Sequence, residues 1–543
     1  MLSALEVEQQ SLNSLHPQLK LWTNASLGEA LINHTPLTMS LFQGSLENDG
    51  AVAEAYRQLG FSYFREPTEV SPYTSICARA YVNLPAYFKA IQNNIYSHFN
   101  ISSAGKWSLK FSPRLIYFPF QLCALIFRLA QRVPKQQQYL MQQWSDFNKS
   151  QRQQLRKLQE IDLQKLDTES LKSYWLNGLK QCKPSMTWHL QSDILSVINE
   201  KWMSLLHFCL GLKTSRDELA GDPKENFISQ CHVDLWKLAH GKMSWDLFEN
   251  LYQHRGFPDW ELSSPRWMRT NSELKNLVLA HTNQPDPSLK LHTFYQERLQ
   301  RQSLLLKAVQ RFPRRLLQDF YVNSLKSYQF ILAARENTKS LAISWISIQG
   351  ALTRELAKRL NWGDEIFYLS SLEIKSLLAE HNSQGSLQQE AIYRRKIWQE
   401  LKRLPLPNQI YANNISELGK FKKPQQERTR LAGTQISGGH IQGRAVLIDS
   451  NTDFFVLSKK DILVMPFAEA SKSSWMSLAG GLIMEQGGQL SHTALLARER
   501  AVPALVGVKE ACQQLRTGDL IELDANNCEV RVLERNYYDQ HSP

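Results

Sequence analysis

Cysteine is scarce and scattered. The seven residues Cys77, Cys123, Cys182, Cys209, Cys231, Cys512 and Cys528 are odd in number and form no Cys-x-x-Cys pair. That argues against a disulfide framework or a zinc knuckle and suits a reducing cytosol. The opening MLSALEVEQQSLN has neither a basic start nor an apolar run, so no secretory signal is read. Long apolar runs are missing too. The nearest approach, RLIYFPFQLCALIFRLAQR from Arg114 to Arg132, is broken by Pro119, Gln121 and Arg128. It also falls short of the ~20 residues that a spanning helix needs. A buried helix of a large helical domain is the preferred reading, ahead of a membrane-surface patch; no transmembrane segment is expected. Neither an internal repeat nor an RNA- or DNA-binding motif is found.

What is present is a chain able to bury real cores. Hydrophobic residues make up 43% of its 543 residues, which excludes a disordered protein and suggests several domains. The net charge of +12 is uneven. From Gly433 onward the chain holds 10 basic and 13 acidic residues; the first 432 residues hold 53 and 38, an excess of +15. A basic front could attract an anionic substrate or an acidic partner. Nucleic acid is not expected, because no motif accompanies the charge.

From about Glu47 to Glu400 the apolar spacing is mostly helical. Trp144, Phe147, Leu155, Leu158, Ile161 and Leu163 recur as on an amphipathic helix. The glutamines around Gln136–Gln143 read as a solvated helix face. Further on, TKSLAISWISIQGALTRELAKRLNWGDEIFYLSSLEIKSLLAE reads as two helices broken at Asn361–Gly363, with EIFYL extended between them. Prolines, amides and the basic cluster Lys420–Lys423 then mark a linker. After Gly433 short β-branched runs alternate with glycine and helical pieces, as in an α/β domain. The expected fold class is multidomain, α plus α/β. Residues 1–402 form a large mostly helical domain, 403–432 a flexible linker, 433–535 a small α/β domain and 536–543 a tail.

The segment MEQGGQLSHTALLARERAVPALVGV, Met484 to Val508, carries the chemistry. Gly487 and Gly488 allow backbone N–H groups to point at a ligand. Ser491 is a good helix N-cap, which places His492 at the first helical position. A helix start favours bound phosphate and keeps an imidazole neutral and nucleophilic. Such a histidine could hold a phosphoryl group and split a transfer into two easier steps. Arg498, one face further along, could reach phosphate oxygens or pair with Glu485 or Glu499. Pro503 should stop the helix and begin a strand. His34, His232, His240, His254 and His440 read instead as satisfied core or surface residues.

The spacing from Glu485 through Gly487, Gly488, Ser491, His492, Ala494, Ala497 and Arg498 to Pro503 and Gly507 resembles the phosphohistidine, swivelling domain of phosphoenolpyruvate-utilising enzymes. These include phosphoenolpyruvate synthase, pyruvate phosphate dikinase and rifampin phosphotransferase. SGGHIQGRAVLI, DILVMPFAEASKSSWMSLAGGLIME and LRTGDLIELDANNCEVRVL resemble the opening, centre and closing hairpin of that domain. The front resembles the helical acceptor-binding region of rifampin phosphotransferase-like proteins. LWTNASLGEALINHTPLTMSLF supplies Asn24, Glu29, Thr35, Pro36 and Ser40, and AARENTKS supplies Arg335 and Glu336. ARAYVNL and DEIFYLSSLEI follow in order. Leu490 stands where relatives often carry a threonine. Ser437-Gly438-Gly439 replaces Ser-Pro-Gly, and Asn526-Asn527-Cys528 stands where glycine is common.

The resemblance implies that His492 is the phosphorylated residue, in a dikinase-type transfer with a swinging domain. It begins near Leu21, and no glycine-rich phosphate loop precedes that point. No cofactor is therefore expected on this chain. ATP and Mg2+ would enter through a separate ATP-grasp protein acting in trans, and a small-molecule acceptor would sit in the helical domain, in the cytoplasm. Glu29, Glu336 and His34 are general-base candidates there. The transfer could end in phosphorylation or in ligation. The alternative is a non-catalytic binding or regulatory protein derived from the same family.

Overall fold

The structure is a computed structural model. It describes residues 20–22, 34–59, 63–65, 71–83, 86, 90, 99–101, 107–109, 118–212, 227–256, 258–310, 315–379, 384–402, 409–411, 428–448, 457–466, 476, 478–485, 497–498 and 500–536. The architecture is a large helical region followed by a mixed-sheet domain, as the sequence predicts.

In the helical region, α1 (Pro36–Gly44) and α2 (Ala51–Gln58) precede three long helices interleaved with shorter ones. These are α3 (Phe118–Gln159), α4 (Thr168–Cys209), α5 (Phe227–Ala239), α6 (Trp245–Tyr252), α7 (Ser272–His281), α8 (Pro287–Gln310), α9 (Arg315–Arg359), α10 (Ser371–Ala379) and α11 (Gln384–Leu401). Local chemistry sets several starts. Asp167 accepts from the Ser170 N–H at 2.8 Å and Asn271 from the Leu274 N–H at 3.0 Å, each satisfying an orphan donor of the first turn.

The end of α9 follows from Asn361. Its φ of 57° puts it in the left-handed region, and the Trp362 N–H returns to the Ala357 carbonyl at 2.8 Å. This is a left-handed cap of the kind asparagine tolerates. EIFYL, expected to be extended, is instead a 3-10 turn, Asp364–Tyr368. Its residues Glu365–Tyr368 are all buried. A short run buried on every side fits a strand or a tight turn equally, and the Glu365 carboxylate tips it by accepting from the Gly363 N–H at 3.0 Å.

Helices α4 and α9 pack along each other and are pinned by polar bonds. The Trp175 indole of α4 donates to the Thr353 hydroxyl of α9 at 2.9 Å, and the Gln349 amide of α9 donates to the Trp175 carbonyl at 3.2 Å. The Trp345 indole of α9 donates to Gln151 of α3 at 3.2 Å and ties that helix to the pair. The glutamine run is not only a solvated face. Gln137 is buried and accepts from the Ser327 hydroxyl, and Gln136 donates to Gln58 and Gln191. The charged surface of α3 is real, but its amides at this end fasten α3 to α2, α4 and α9. Its first half, which holds the apolar run tested as a membrane span, has side chains outside the described residues. No helix among the described residues is long and apolar enough to cross a membrane.

A small antiparallel sheet closes one side of the helices. Its strands β1 (Lys20–Trp22), β2 (Tyr73–Ile76), β3 (Arg79–Asn83) and β6 (Gln409–Tyr411) run in the order β2-β3-β1-β6, and a separate hairpin joins β4 (Phe99–Ile101) to β5 (Trp107–Leu109). β6 lies within the stretch expected to be a free linker, with Ile410 fully buried. β7 (Arg430–Ala432), also from that stretch, pairs with the last strand of the C-terminal domain. Three-residue strands carry too little alternation to be seen in a sequence, so partner strands, rather than local pattern, specify them. From Arg428, whose N–H reaches Gln514 at 2.9 Å, the chain is attached to the C-terminal domain.

That domain is one eight-stranded sheet in the order β7-β14-β13-β9-β10-β11-β12-β8. Here β8 is Thr434–Ser437, β9 His440–Leu447, β10 Asp461–Met465, β11 Gly481–Met484, β12 Ala504–Val506, β13 Leu520–Asp524 and β14 Glu529–Glu534, with the short α12 (Ala511–Gln514) before β13. β9, β10, β11 and β12 are parallel; the flanking pairs are antiparallel. Residues alternate strictly between faces. Ile462, Val464, Ile483 and Leu505 join one core with Ile521 and Val530, whereas Leu463, Met465, Leu482, Met484, Ala504 and Val506 join another. The second core continues into Leu235, Leu238, Leu274 and Leu277 of the helical region. The described cysteines Cys77, Cys182, Cys231, Cys512 and Cys528 are unbridged.

Candidate functional site

The parallel strands define where the histidine segment starts. In an open parallel sheet, ligands bind beyond the carboxyl ends of the strands. β11 ends at Met484, and the chain leaves this pole through Glu485, whose N–H donates to the Met465 carbonyl at 3.1 Å. Gly487, Gly488, Ser491 and His492 follow at once and lie outside the described residues. The chain re-enters at Ala497 and the half-buried Arg498, both helical. There the Val502 N–H bonds the Ala497 carbonyl at 2.9 Å and the Ala501 N–H bonds that of Arg498 at 3.0 Å. Ala501 has φ 50°. This is a Schellman helix end, followed by Pro503 and strand β12.

Glu485 is the chemical feature of the described part of this pole. Its carboxylate accepts from the Cys512 N–H at 2.7 Å, and burial raises its pKa despite that bond. A partly buried carboxyl one residue beyond β11 can carry a proton more readily than a solvated one. The two turns that depart from the family pattern are also defined. Gly439 has φ 131° and packs so that a Cβ would meet Pro503 at 2.7 Å, so glycine is required there. Cys528 holds φ 59° where a glycine would be unstrained.

In the helical region Asn24 and Glu29 lie outside the described residues. Thr35 precedes Pro36 at the start of α1, but its side chain does not cap that helix. Instead its hydroxyl donates to Glu261 Oε1 at 2.8 Å and its N–H to Glu261 Oε2 at 2.9 Å. Glu261 also accepts from the N–H and hydroxyl of Ser263. Arg335 and Glu336 bond each other on α9, with Nη2 3.0 Å from Oε1, and Arg335 also lies 3.8 Å from Asp193 of α4. His34 is buried between the Thr35 carbonyl and the Ser75 hydroxyl; burial lowers its pKa. His254 meets Ser340 at 2.9 Å, His240 the Trp236 carbonyl at 2.9 Å and His440 the Glu522 carboxylate at 2.8 Å.

The residues that join these pairs were not singled out from sequence. They lie in HRGFPDWELSSPRW, His254 to Trp267, which crosses between α4 and α9. Arg255 and Asp259 form a fully buried ion pair at 3.0 Å, and Arg255 also faces the Trp267 ring. The Asp259 carboxyl lies below its ordinary range because the Arg255 guanidinium outweighs its burial. Arg266 and Arg354 hold the loop by its carbonyls: Arg266 at Asp259 and Glu261, Arg354 at Ser263 and Ser264. His189 of α4 stacks on Trp260, its ring 5.5 Å away. Burial pushes the His189 pKa down to about 4, although Asp193 and Glu336 oppose the shift, and its Nδ1 is buried without a partner among the described residues. Thr35–Glu261 and Arg335–Glu336 are thus linked through Trp260 and His189. The available signal was a charged, Trp- and Pro-rich stretch without helical period inside a helical region, which marks a structured loop. No group of His, Cys, Asp or Glu among the described residues could hold a metal ion.

Residues 457–528 match the family model of the PEP-utilising enzyme mobile domain. Rifampicin phosphotransferase of Streptomyces sviceus is 25% identical over 332 residues, covering 58% of this chain and 37% of that protein. The prodigiosin synthesizing transferase PigC of Serratia marcescens is 28% identical over 296 residues, 53% and 32% of the two chains. A probable phosphoenolpyruvate synthase of Pyrococcus abyssi is 35% identical over 94 residues, 17% and 12% of the two chains. The chain spans about a third of the length of the first of these relatives. Residues 457–528 therefore carry a mobile domain of the kind found in phosphoenolpyruvate-utilising enzymes.

Proposed function

We propose that this chain is the carrier and acceptor part of a dikinase-type phosphotransferase. An imidazole nitrogen of His492 attacks phosphorus in a phosphoryl group delivered from ATP by an ATP-grasp protein that binds Mg2+. The N–P bond forms as the P–O bond to AMP breaks, and water takes the terminal phosphate off as inorganic phosphate, leaving one phosphoryl group on the ring. A hydroxyl of a small molecule then attacks that phosphorus, the O–P bond forms, the N–P bond breaks and the hydroxyl proton ends on the departing imidazole, regenerating the histidine. Gly487, Gly488 and Ser491 would cradle the phosphate with backbone N–H groups, and Arg498 would add charge.

One observation carries this reading. The segment holding His492 lies within the match to the mobile domain and departs from the carboxyl pole of four parallel strands. The acceptor would sit near Arg335, Glu336, His189 and Trp260, where a neutral imidazole of α4 lies within electrostatic reach of a carboxylate of α9 and stacks on an aromatic ring. Asn24, Glu29 and Thr35 would belong to the same acceptor region. The domain would turn on the chain between Tyr411 and Arg428.

The test supplies an ATP-grasp partner and labelled ATP. Acid-labile, base-stable label should appear on the chain and vanish in His492→Ala. Equal labelling of that variant would exclude the carrier role. Ligand binding untouched by His492→Ala, with no label on either protein, would identify a non-catalytic binding protein.

A further inference from the structure

A groove of about 460 Å3 opens between α2, α3 and α4, within the range of about 300–1,000 Å3 typical of small-molecule sites. Pro184, Thr187 and Trp188 line it from α4, Gln58 from α2, and Gln136 and Tyr139 from α3. His189 and Asp193 project from the opposite side of α4, as helical spacing requires, so the groove is separate from the proposed acceptor region.

One lining group lacks a partner. Thr187 is 5% exposed, and its Oγ1 is buried without a hydrogen bond among the described residues. A threonine inside a helix ordinarily bonds the carbonyl four residues back. Thr293, Thr338 and Thr353 do so, reaching Leu289, Ala334 and Gln349 at 3.1, 2.7 and 2.8 Å. Thr187, in the turn after Pro184, does not. The amides of the groove are fixed but short of donors. The Gln136 nitrogen donates to Gln58 at 3.3 Å and to Gln191 at 3.2 Å, and the Gln58 nitrogen donates to Glu54 at 2.7 Å. Gln136 Oε1 is left with no donor among the described residues. Glu54 and Lys183 are the ionised groups of the described lining, one of each sign. The Trp188 ring is held by Phe147, stacked with centroids 4.1 Å apart, and Tyr139 is 51% exposed.

We propose that this groove binds a neutral pyranose sugar. Balanced charge in the lining disfavours an ion of either sign. The unmet oxygens call for O–H donors, and a pyranose carries several, each able to accept as well. With its hydroxyls equatorial, the ring also has an apolar C–H face, which fits the Trp188 and Tyr139 rings. A nucleobase would stack on the same rings but brings fewer donors. The Thr187 hydroxyl can donate and accept, so it gives the sugar's rim a buried partner. The amides are already fixed by one another, so binding need not order them.

The test titrates the full chain with methyl β-D-glucopyranoside, a closed neutral ring with equatorial substituents. Calorimetry should show one equivalent bound, and cyclohexanol, a ring of like size with one hydroxyl, should bind at least about tenfold more weakly. Thr187→Val keeps the branched shape and deletes the hydroxyl. It should weaken the glucoside about tenfold, yet the free variant should melt at the same temperature as the native chain or higher, because no internal bond is lost. Tyr139→Ala, at an exposed position, should weaken binding about twofold to tenfold without moving the melt. The absence of saturable binding overturns the site, as does an affinity matched by cyclohexanol or unchanged in Thr187→Val. A lower melt of the free Thr187→Val chain would show the hydroxyl bonded within the fold, and overturns it too. Adenosine or glycine displacing the glucoside at lower concentration assigns the groove to a nucleoside or a zwitterion, and equally overturns the proposal.

Discussion

The helical region and the mobile domain are stabilised in opposite ways. The helical region threads charge through its interior. Arg255, Asp259, Glu261 and Glu336 are all at most 5% exposed and tie a loop to helices distant in sequence. The mobile domain keeps its sheet almost wholly apolar, with alternate residues of β10, β11 and β12 feeding two cores. Its carboxylates Glu485 and Asp524 sit at strand ends and Glu522 on the solvent side of β13; the one buried carboxylate among the described residues of this domain, Asp519, precedes β13 and pairs with Arg535 at 3.0 Å. A buried ionic network fixes geometry at the cost of desolvation, which suits the proposed role of holding an acceptor in one pose. An apolar sheet with chemistry confined to its poles suits a unit that carries its cargo on a loop.

This contrast can be broken from either side by substitution, with unfolding of the two regions followed separately in urea. Asp259→Ala removes the ion-pair partner of the buried Arg255 guanidinium and should cost about 3–5 kcal/mol in the helical transition alone. Leu482→Ala removes a side chain that is 1% exposed beside Met465 and Met484. It should cost the mobile domain about 2–4 kcal/mol and leave the helical transition in place. If both transitions move together in either variant, the shared core at Leu235 and Leu277 makes the two regions one cooperative unit. Glu261→Gln keeps the shape but replaces an acceptor of four hydrogen bonds with a group that has one acceptor oxygen. The expected loss is about 1–3 kcal/mol, with a larger loss of acceptor binding than of His492 labelling.

The sequence made strands β9 to β13 of the mobile domain legible, because β-branched runs, glycines and Pro503 mark them locally. The break after α9 was equally visible, since Asn361 and Gly363 are the residues that end helices. What stayed hidden depends on partners far along the chain. β6 and β7 are specified by strands nearly 400 and 100 residues away, and EIFYL took a turn closed by its own Glu365 carboxylate on the Gly363 N–H. The proposed acceptor region was half legible. Thr35, Arg335 and Glu336 were picked out by resemblance, whereas Glu261, Asp259 and His189 have no local signature. The roles of Glu261 and Asp259 come from a loop that folds back onto Thr35, 226 residues from Glu261, and His189 joins them only because α4 packs beside that loop.

The smallest expected effect separates the two regions by pH. Asp259 has a folded pKa below its ordinary 3.8, so the unfolded chain binds the proton more readily. Its stabilisation is full above the unfolded value and is lost as pH falls through the folded one. Glu485 is the reverse. Its folded pKa is raised above 4.5, chiefly by burial. Here the folded state binds the proton more readily, so the mobile domain gains stability as pH falls through the raised value, and the gain is complete below the unfolded one. Glu522 and Asp524 are lowered by His440 and Asn527 and act in the opposite sense, so the whole-domain profile mixes signs. The difference between native protein and Glu485→Gln isolates the one group. Glutamine retains an oxygen for the Cys512 N–H and never ionises. At neutral pH the variant's mobile-domain transition should equal or exceed that of the native protein, and the two should converge as pH falls below the raised value. A variant that is less stable at neutral pH and does not converge in acid would mean that the Glu485 carboxylate is held charged by groups at the histidine pole.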